Sequence, residues 1–438
     1  VTSLNVRNWN TSEVTTMEEL FHGMEKVTAL DVSRWNTSKV TNMKKIFSKV
    51  ASVSSLDVSR WDTRNVEDMS FIFNEAAKLS TLDVSRWNVS KVTTLRAAFA
   101  DTLALRSLDV GNWNVRKVRD MSWIFSGSGV TSLDLDRWST DSLTSLDRAF
   151  RLMPNLASLK VRNFNTRQVT NLTSTFLGLR TLRTLDVSNW DVSNVTDMTQ
   201  IFNESGLVSL NLSNWQPTKL TDMRWSFAEM PNLTDVDVSR WNFNTVDVVG
   251  NIFKSTPKIK KIKLPMSTSR SLTSVRIGIA ETLEGYTNKW VREDKAYGPM
   301  TWDSMVNNWQ PAMAGTWVRE VDDPTYNVTY NTSGTGESIT GVKARVGDVV
   351  NLPTPNVRKP GTKFKGWSKT SNGTILTSPV RNLANKGETI TLYAVWETLD
   401  NNVNVSNGEF EITVMGNEEV TIPNLAAGMS YEVYELSK

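Results

Sequence analysis

The chain has 438 residues, with 49 Lys plus Arg against 46 Asp plus Glu, a net charge of +3, one histidine (His22) and no cysteine. Lack of cysteine excludes disulfides, thiolate metal sites and cysteine nucleophiles, and the near balance of charge argues against nucleic acid as the main partner. No apolar run reaches the length of a membrane-spanning helix, and the length leaves room for two to four domains.

An aromatic residue recurs at Trp9, Trp35, Trp61, Trp87, Trp113, Trp138, Phe164, Trp190, Trp215 and Trp241, in steps of 25 or 26 residues, which makes ten copies of one unit. Below, positions are counted from this aromatic. Leu stands at −5 and Val or Leu at −3, with Asp between them in seven of the ten copies. Such alternation predicts a short strand. One strand per copy, always in the same direction, predicts parallel strands stacked into a sheet roughly 45–50 Å long. Asn-Thr-Ser-Lys-type turn sequence follows the aromatic. Apolar residues then fall at +5, +8 and +12, as at Val40, Met43 and Phe47. Spacings of three and four share one helix face, so each copy is expected to carry one short helix. Thr15 and Thr41 sit where helix N-caps would lie, and Thr15 with Glu18 has capping-box spacing. A single unit could not bury these side chains alone; stacked copies share one core.

The phrase L-D-V-S-x-W-N-T-S-x-V-T-x-M-x-x-x-F, seen at 30–47, resembles the BspA-like leucine-rich repeats of bacterial surface proteins. The resemblance covers about residues 1–265 and implies an α/β leucine-rich-repeat solenoid with a role in adhesion. Phe164, Lys160, Gln216, Thr175 and Ser226 depart from the columns without threatening that fold.

Ile262 and Leu264 begin an eleventh copy, and the pattern stops at Pro265. Residues 1–253 hold three prolines and the remainder ten, so the architecture changes there. Residues 266–321 are expected to cap the open core. Trp290-Val-Arg-Glu and Trp317-Val-Arg-Glu predict two matching strands, and Met300–Trp309 a short helix. Residues 322–397 contain Tyr326-Asn-Val-Thr-Tyr, Phe364-Lys-Gly-Trp and Leu392-Tyr-Ala-Val-Trp. That order is similar to the Listeria–Bacteroides repeat, which implies a small all-β, β-grasp-like module serving as a spacer. Residues 398–438 are similar to part of a pilin or Cna-B-like β-sandwich. Domains of that kind often carry a Lys–Asn isopeptide bond beside an acid. Glu435 sits where the acid would lie, but no matching Lys and Asn are visible.

One histidine and no cysteine exclude most nucleophile–base pairs, and no P-loop or dinucleotide fingerprint is present, so no catalytic residues are expected. His22, in the first copy, reads as an ordinary surface or packing residue. The Trp column is either a platform for sugar rings or a structural ladder, and recurrence in every copy favours the ladder. The Asp column poses a sharper problem. Asp31, Asp57, Asp83 and Asp109 should stack about 5 Å apart, where like charges repel. Arg34, Arg60 and Arg86, with Arg137 and Arg240, are candidate partners; backbone N–H groups or a bound calcium ion are the alternatives. Asp31, Asp57, Asp83, Asp109, Arg34, Arg60 and Arg86 form the candidate ligand-binding set. No other cofactor is expected.

Residues 1–265 carry 33 Lys plus Arg against 27 Asp plus Glu, and residues 266–438 carry 16 against 19. The mildly basic first part includes Lys44, Lys45, Arg96, Arg116, Lys117, Arg119, Arg148, Arg151, Arg180 and Arg183 at variable positions. It could engage acidic glycans or acidic protein patches, or simply remain solvated. The expectation is the extracellular part of a Gram-positive cell-surface adhesin, monomeric, binding a host extracellular-matrix or cell-surface protein, mucin, a glycan or other bacteria. Since the chain opens in mid-pattern at Val1, export and cell-wall anchoring signals are expected outside it. The alternative is a structural stalk that holds a binding head away from the cell wall.

Overall fold

The computed structural model describes residues 2–246, 250–265, 283–357, 359 and 362–398. It divides into two units, Val1–Val321 and Asp322–Lys438. In the first, the copies stack so that equivalent side chains meet. Rings of the aromatic column lie nearly parallel, Trp35 to Trp61 at 6.2 Å and Trp61 to Trp87 at 6.3 Å. A second column, at +12, packs Phe47, Phe73 and Phe99 at 5.7 and 5.6 Å. Both lie in one continuous apolar core that runs from Val6 into Trp290, Trp302 and Trp317.

Short strands form at the −5 column: β1 (Ser55–Leu56), β2 (Thr81–Leu82), β3 (Ser132–Asp134), β4 (Ser158–Lys160), β5 (Ser209–Asn211), β6 (Asp235–Asp237) and β7 (Lys261–Leu264). They pair in parallel, but in three patches, β1–β2, β3–β4 and β5–β6–β7, rather than as one sheet. The strands stay short because the side chain at −4 takes the next free backbone N–H: Asp31 Oδ1 accepts from Ser33 N at 3.2 Å, and Asp83 Oδ1 from Ser85 N at 3.0 Å. That side-chain turn competes with a ladder bond and bends the chain away.

The expected helix in each copy does not form. Its place is taken by a ribbon of tandem turns. Within 43–50, Ile46, Ser48 and Val50 donate their N–H to the carbonyls of Met43, Lys45 and Phe47, three residues back. The intervening N–H groups, of Met43, Lys45, Phe47 and Lys49, donate instead to Asp68, Ser70, Ile72 and Asn74 of the next copy, at 2.8–3.0 Å. Half of the donors a helix would use therefore bind the neighbouring copy. The geometry requires left-handed backbone at +10 and +14 in every copy, for example Lys45 (φ 55) and Lys49 (φ 62). Seventeen of these twenty positions are not glycine, so stacking outweighs their strain. The proposed Thr15 cap is also corrected. Thr15 offers its carbonyl to the N–H of Thr41 at 2.8 Å, and Thr16 Oγ1 accepts the Glu18 N–H at 3.3 Å. Parallel bridges link that +7 position through nine successive copies, from Thr16 to Asp222.

At the end of the stack, β10 (Gly315–Val321) pairs antiparallel with β7 on one side and with β8 (Tyr286–Arg292) on the other, and β8 carries β9 (Met300–Thr301). The two Trp-Val-Arg segments face each other in this pairing, with Val318 opposite Val291. Helix α1 (Trp302–Asn307) follows β9, and Trp302 and Met305 close over the core.

The second unit has a four-stranded sheet in the order β12–β11–β16–β14: β11 (Thr325–Asn331), β12 (Val342–Arg345), β14 (Thr362–Ser368) and β16 (Thr389–Thr398). A separate pair joins β13 (Val349–Val350) to β15 (Val380–Arg381). First and last strands run parallel at the centre, and antiparallel strands flank them. This is a β-grasp-like sheet order, without a helix among the described residues. Its core holds Tyr326, Val328, Trp367 and Leu392. The expected pilin-like fragment lies outside the described residues.

Candidate interaction surface

Six of the seven aspartates of the −4 column lie exposed along one side of the stack, and Asp237 is partly buried. Each Oδ1 serves its own copy. Asp31, Asp57 and Asp83 accept both the N–H and the hydroxyl of the serine two residues on, the hydroxyl bonds being 2.6, 2.8 and 2.7 Å. Asp109 meets Gly111 N at 3.4 Å. Hydrogen bonds from Ser33 and Ser85 hold the Asp31 and Asp83 carboxyls below their usual pKa. Elsewhere in the column a cation from an adjacent copy completes the pairing: Arg7 with Asp31 at 3.4 Å, Lys160 with Asp134 at 2.7 Å, and Arg162 with Asp186 at 3.3 Å. Arg34, Arg60 and Arg86 do not close on the aspartates three residues earlier. They stand exposed at the corner of the turn before each Trp, and Arg34 reaches Asp31 only as a more distant charge. Among the described residues no group of three or more His, Cys, Asp or Glu could hold a metal ion.

The Trp column offers little to a sugar. Trp138, Trp190 and Trp215 are fully buried, and only Trp9, at the first copy, is widely open, at 47% exposure. Seven of the nine indoles instead donate to a carbonyl of the previous copy, for example Trp35 to Val6 at 3.0 Å, Trp61 to Val32 at 3.1 Å and Trp87 to Val58 at 3.0 Å, whereas Trp241 Nε1 has no partner. Phe164 lacks that bond but keeps the stack, 6.1 Å from both Trp138 and Trp190.

Six of the ten variable-position basic residues are neutralised by ion pairs within the stack. Lys44 pairs with Glu18, Lys45 with Glu19, Arg96 with Asp120, Arg116 with Asp141, Arg148 with Asp147 and Arg180 with Glu204. Arg183 Nη1 spans the carbonyls of Arg180 and Gly206. Lys117 and Arg119 remain exposed. His22 is partly buried, and its Nδ1 has no hydrogen-bond partner.

Two features of the turn ribbon escaped the reading of the sequence. Phe71, Trp123 and Trp225 occupy the left-handed +10 position and are partly exposed. Arg148 and Arg151 lie over the Trp123 ring at 5.0 and 5.7 Å, and Lys254 lies over Trp225 at 5.0 Å. Tryptophans outside the main column were the available signal. The second feature is a shallow groove lined by Glu25, Lys49, Glu75, Asp101 and Leu103. Asp101 is exposed on this groove, and partial desolvation there, aided by the nearby Glu75 charge, raises its pKa above the usual value.

Comparison with known proteins returns two families. The family described as "Mycoplasma protein of unknown function, DUF285" matches residues 1–106, 50–158 and 144–264. The Listeria–Bacteroides repeat domain matches 326–395. A solved leucine-rich repeat protein from Bacteroides ovatus is similar at 13% identity and a TM-score of 0.31. That match covers 63% of this chain and 63% of the other, so the chain spans less than two thirds of that relative. No curated protein matches the chain.

Proposed function

The chain belongs to the DUF285 family of BspA-like leucine-rich repeats and also carries a Listeria–Bacteroides repeat domain, and from that premise we propose that it is the displayed part of a bacterial surface adhesin. Repeats of these families occur typically in surface-associated proteins. The finer reading places the chain at the cell wall of a Gram-positive bacterium. There the stack binds a protein or glycan of a host or of another microbe without covalent chemistry, cofactor or catalysis.

One observation carries this reading: a long, internally bonded stack holds a continuous row of exposed, copy-variable side chains over one unbroken core. Such a scaffold keeps contact residues in fixed relation, which lowers the ordering cost of binding. The mixture of paired and unpaired charge favours recognition by shape and mixed charge over capture of a simple polyanion.

The test divides the chain where its two units divide. Fragments 1–321 and 322–438 are applied to immobilised extracellular-matrix proteins, mucin and glycans at low and physiological salt. Saturable binding by the first fragment alone is the expected result. Binding by neither at high concentration would favour the stalk, and turnover of any glycan would overturn the non-enzymatic reading.

A further inference from the structure

Many charges in the stack are matched from one copy to the next. Glu13–Lys39, Glu18–Lys44, Arg96–Asp120 and Arg116–Asp141 are examples, each joining neighbouring copies. Arg34, Arg60 and Arg86 are among those that are not matched. They occupy the same −1 position in three successive copies, stand exposed, and make no ion pair or hydrogen bond with a described residue. Three positions earlier, Asp57 and Asp83 use Oδ1 for their own turns and have no cation within ion-pair distance, as is true of Asp109 in the next copy, while Asp31 also meets Arg7 at 3.4 Å. The result is two adjacent bands of unsatisfied charge, one acidic and one basic, with the same spacing of one charge per copy.

A polyanion lying on the Arg band would run beside the Asp band and be repelled by it; a polycation has the converse problem. The fitting partner carries both signs in two bands at this same spacing, and a second copy of the chain does so by construction. We propose that this banded face is a contact surface between two copies, laid side by side and parallel, related by a two-fold axis along the stacking direction. That rotation exchanges the bands while keeping copy number in step. Arg34, Arg60 and Arg86 of each chain then oppose Asp31, Asp57 and Asp83 of the other, so the contact is isologous. A two-fold axis across the stack would set like charge against like. Exposed ion pairs are individually weak, so the isolated chain is monomeric when dilute, and the contact gains strength where many chains share one surface. This inference does not depend on what the adhesin binds.

Sedimentation of the full chain over a wide concentration range tests it. Self-association is expected at low salt, weakened at least about tenfold at ~0.5 M salt, where charge screening acts within a few ångströms. Two variants carry reversed bands: Arg34→Glu/Arg60→Glu/Arg86→Glu, and Asp31→Lys/Asp57→Lys/Asp83→Lys. The fold has precedents in the second column, since Lys160 and Asn211 occupy the same −4 position. Each variant alone should be monomeric with an unchanged circular dichroism spectrum, the Asp variant melting somewhat lower because it loses its serine hydrogen bonds, and an equimolar mixture should associate more tightly than the parent chain. A mixture that stays monomeric although both variants are folded overturns the proposal. A parent chain that stays monomeric at low salt but binds heparin through the three arginines also overturns it, and assigns the Arg band to a polyanion.

Discussion

Replacing Glu229 by glycine separates a turn ribbon from a helix by the sign of its effect. Glu229 is exposed at the +14 position of the ninth copy, with φ 55, and its N–H donates to Lys254 O at 2.7 Å. Left-handed backbone costs a non-glycine residue about 1–2 kcal/mol. Glycine removes that strain but adds about 0.4–1 kcal/mol of unfolded-chain entropy. The net expectation is a gain of about 0–1.5 kcal/mol, with Ser255→Gly (φ 55) behaving alike. In a helix the same substitutions would lose roughly 0.5–1 kcal/mol. Glu229→Asn controls for the lost charge, because asparagine tolerates left-handed backbone. Gly23→Ala is the converse: at φ 74 an added Cβ meets nothing within 4 Å, so only conformational strain changes, and a loss of up to about 1.5 kcal/mol is expected. Urea unfolding followed by tryptophan fluorescence gives the global effect, and amide exchange in the substituted copy gives the local one, since repeat arrays can unfold in parts. Loss of stability in both Glu229→Gly and Ser255→Gly, with Gly23→Ala neutral, would refute the assignment.

Gly129→Ala should be far more costly, by about 3 kcal/mol or more. Its Cβ would lie 2.2 Å from Leu103 O and 2.3 Å from Arg106 Nη1, and Gly206 has the same surroundings in Arg180 and Arg183. Arg106→Ala should relieve only the side-chain part, leaving Gly129→Ala destabilising in thermal melts of the double variant. Trp87→Phe removes one of two donors to Val58 O, the other being Trp61 N. Its expected loss is about 2–3 kcal/mol from the hydrogen bond and the indole volume. Asp101→Asn is expected to stabilise the chain at pH 7. Its raised folded pKa means that charging it opposes folding, and this penalty vanishes as pH falls below the ordinary value of 3.8. Melts of variant and parent should therefore converge in acid; a difference independent of pH would contradict the desolvation argument. The lowered carboxyls of Asp31 and Asp83 act the other way. Their stabilisation is present above 3.8 and is lost as pH falls through their folded pKa values, so melts of the parent chain should show acid weakening that removal of these carboxyls reduces.

Column periodicity made the core legible, because a side chain that recurs every 25 or 26 residues can only meet its own kind. Matching Trp-Val-Arg strands of the cap were legible for a similar reason. The helix was misread because Val40, Met43 and Phe47 have spacings of three and four that tandem turns share with helices. Glycine would have revealed the turns, but only Gly23, Gly127 and Gly178 mark the twenty left-handed positions. The cap residue slipped by one, from Thr16 to Thr15, since both are threonine. Partners of the Asp column were already in the phrase L-D-V-S: the serine two residues on, rather than the arginine three on. Arg106 with Gly129 and Arg183 with Gly206 repeat one 23-residue spacing, a pairing visible in the sequence and explained only by contact.

Hydrogen bonds between copies, from Met43 to Asp68 and from Trp61 to Val32, have a mechanical consequence. They run in the stacking direction. Tension applied along that direction loads them in series, one interface after another, instead of shearing many at once. Under flow the stack should yield copy by copy at modest force, each step releasing about 26 residues, or roughly 85–95 Å of contour. In the proposed adhesive role this gives a drawn-out yield rather than a single rupture, and the copies that remained stacked would stay folded on their shared core.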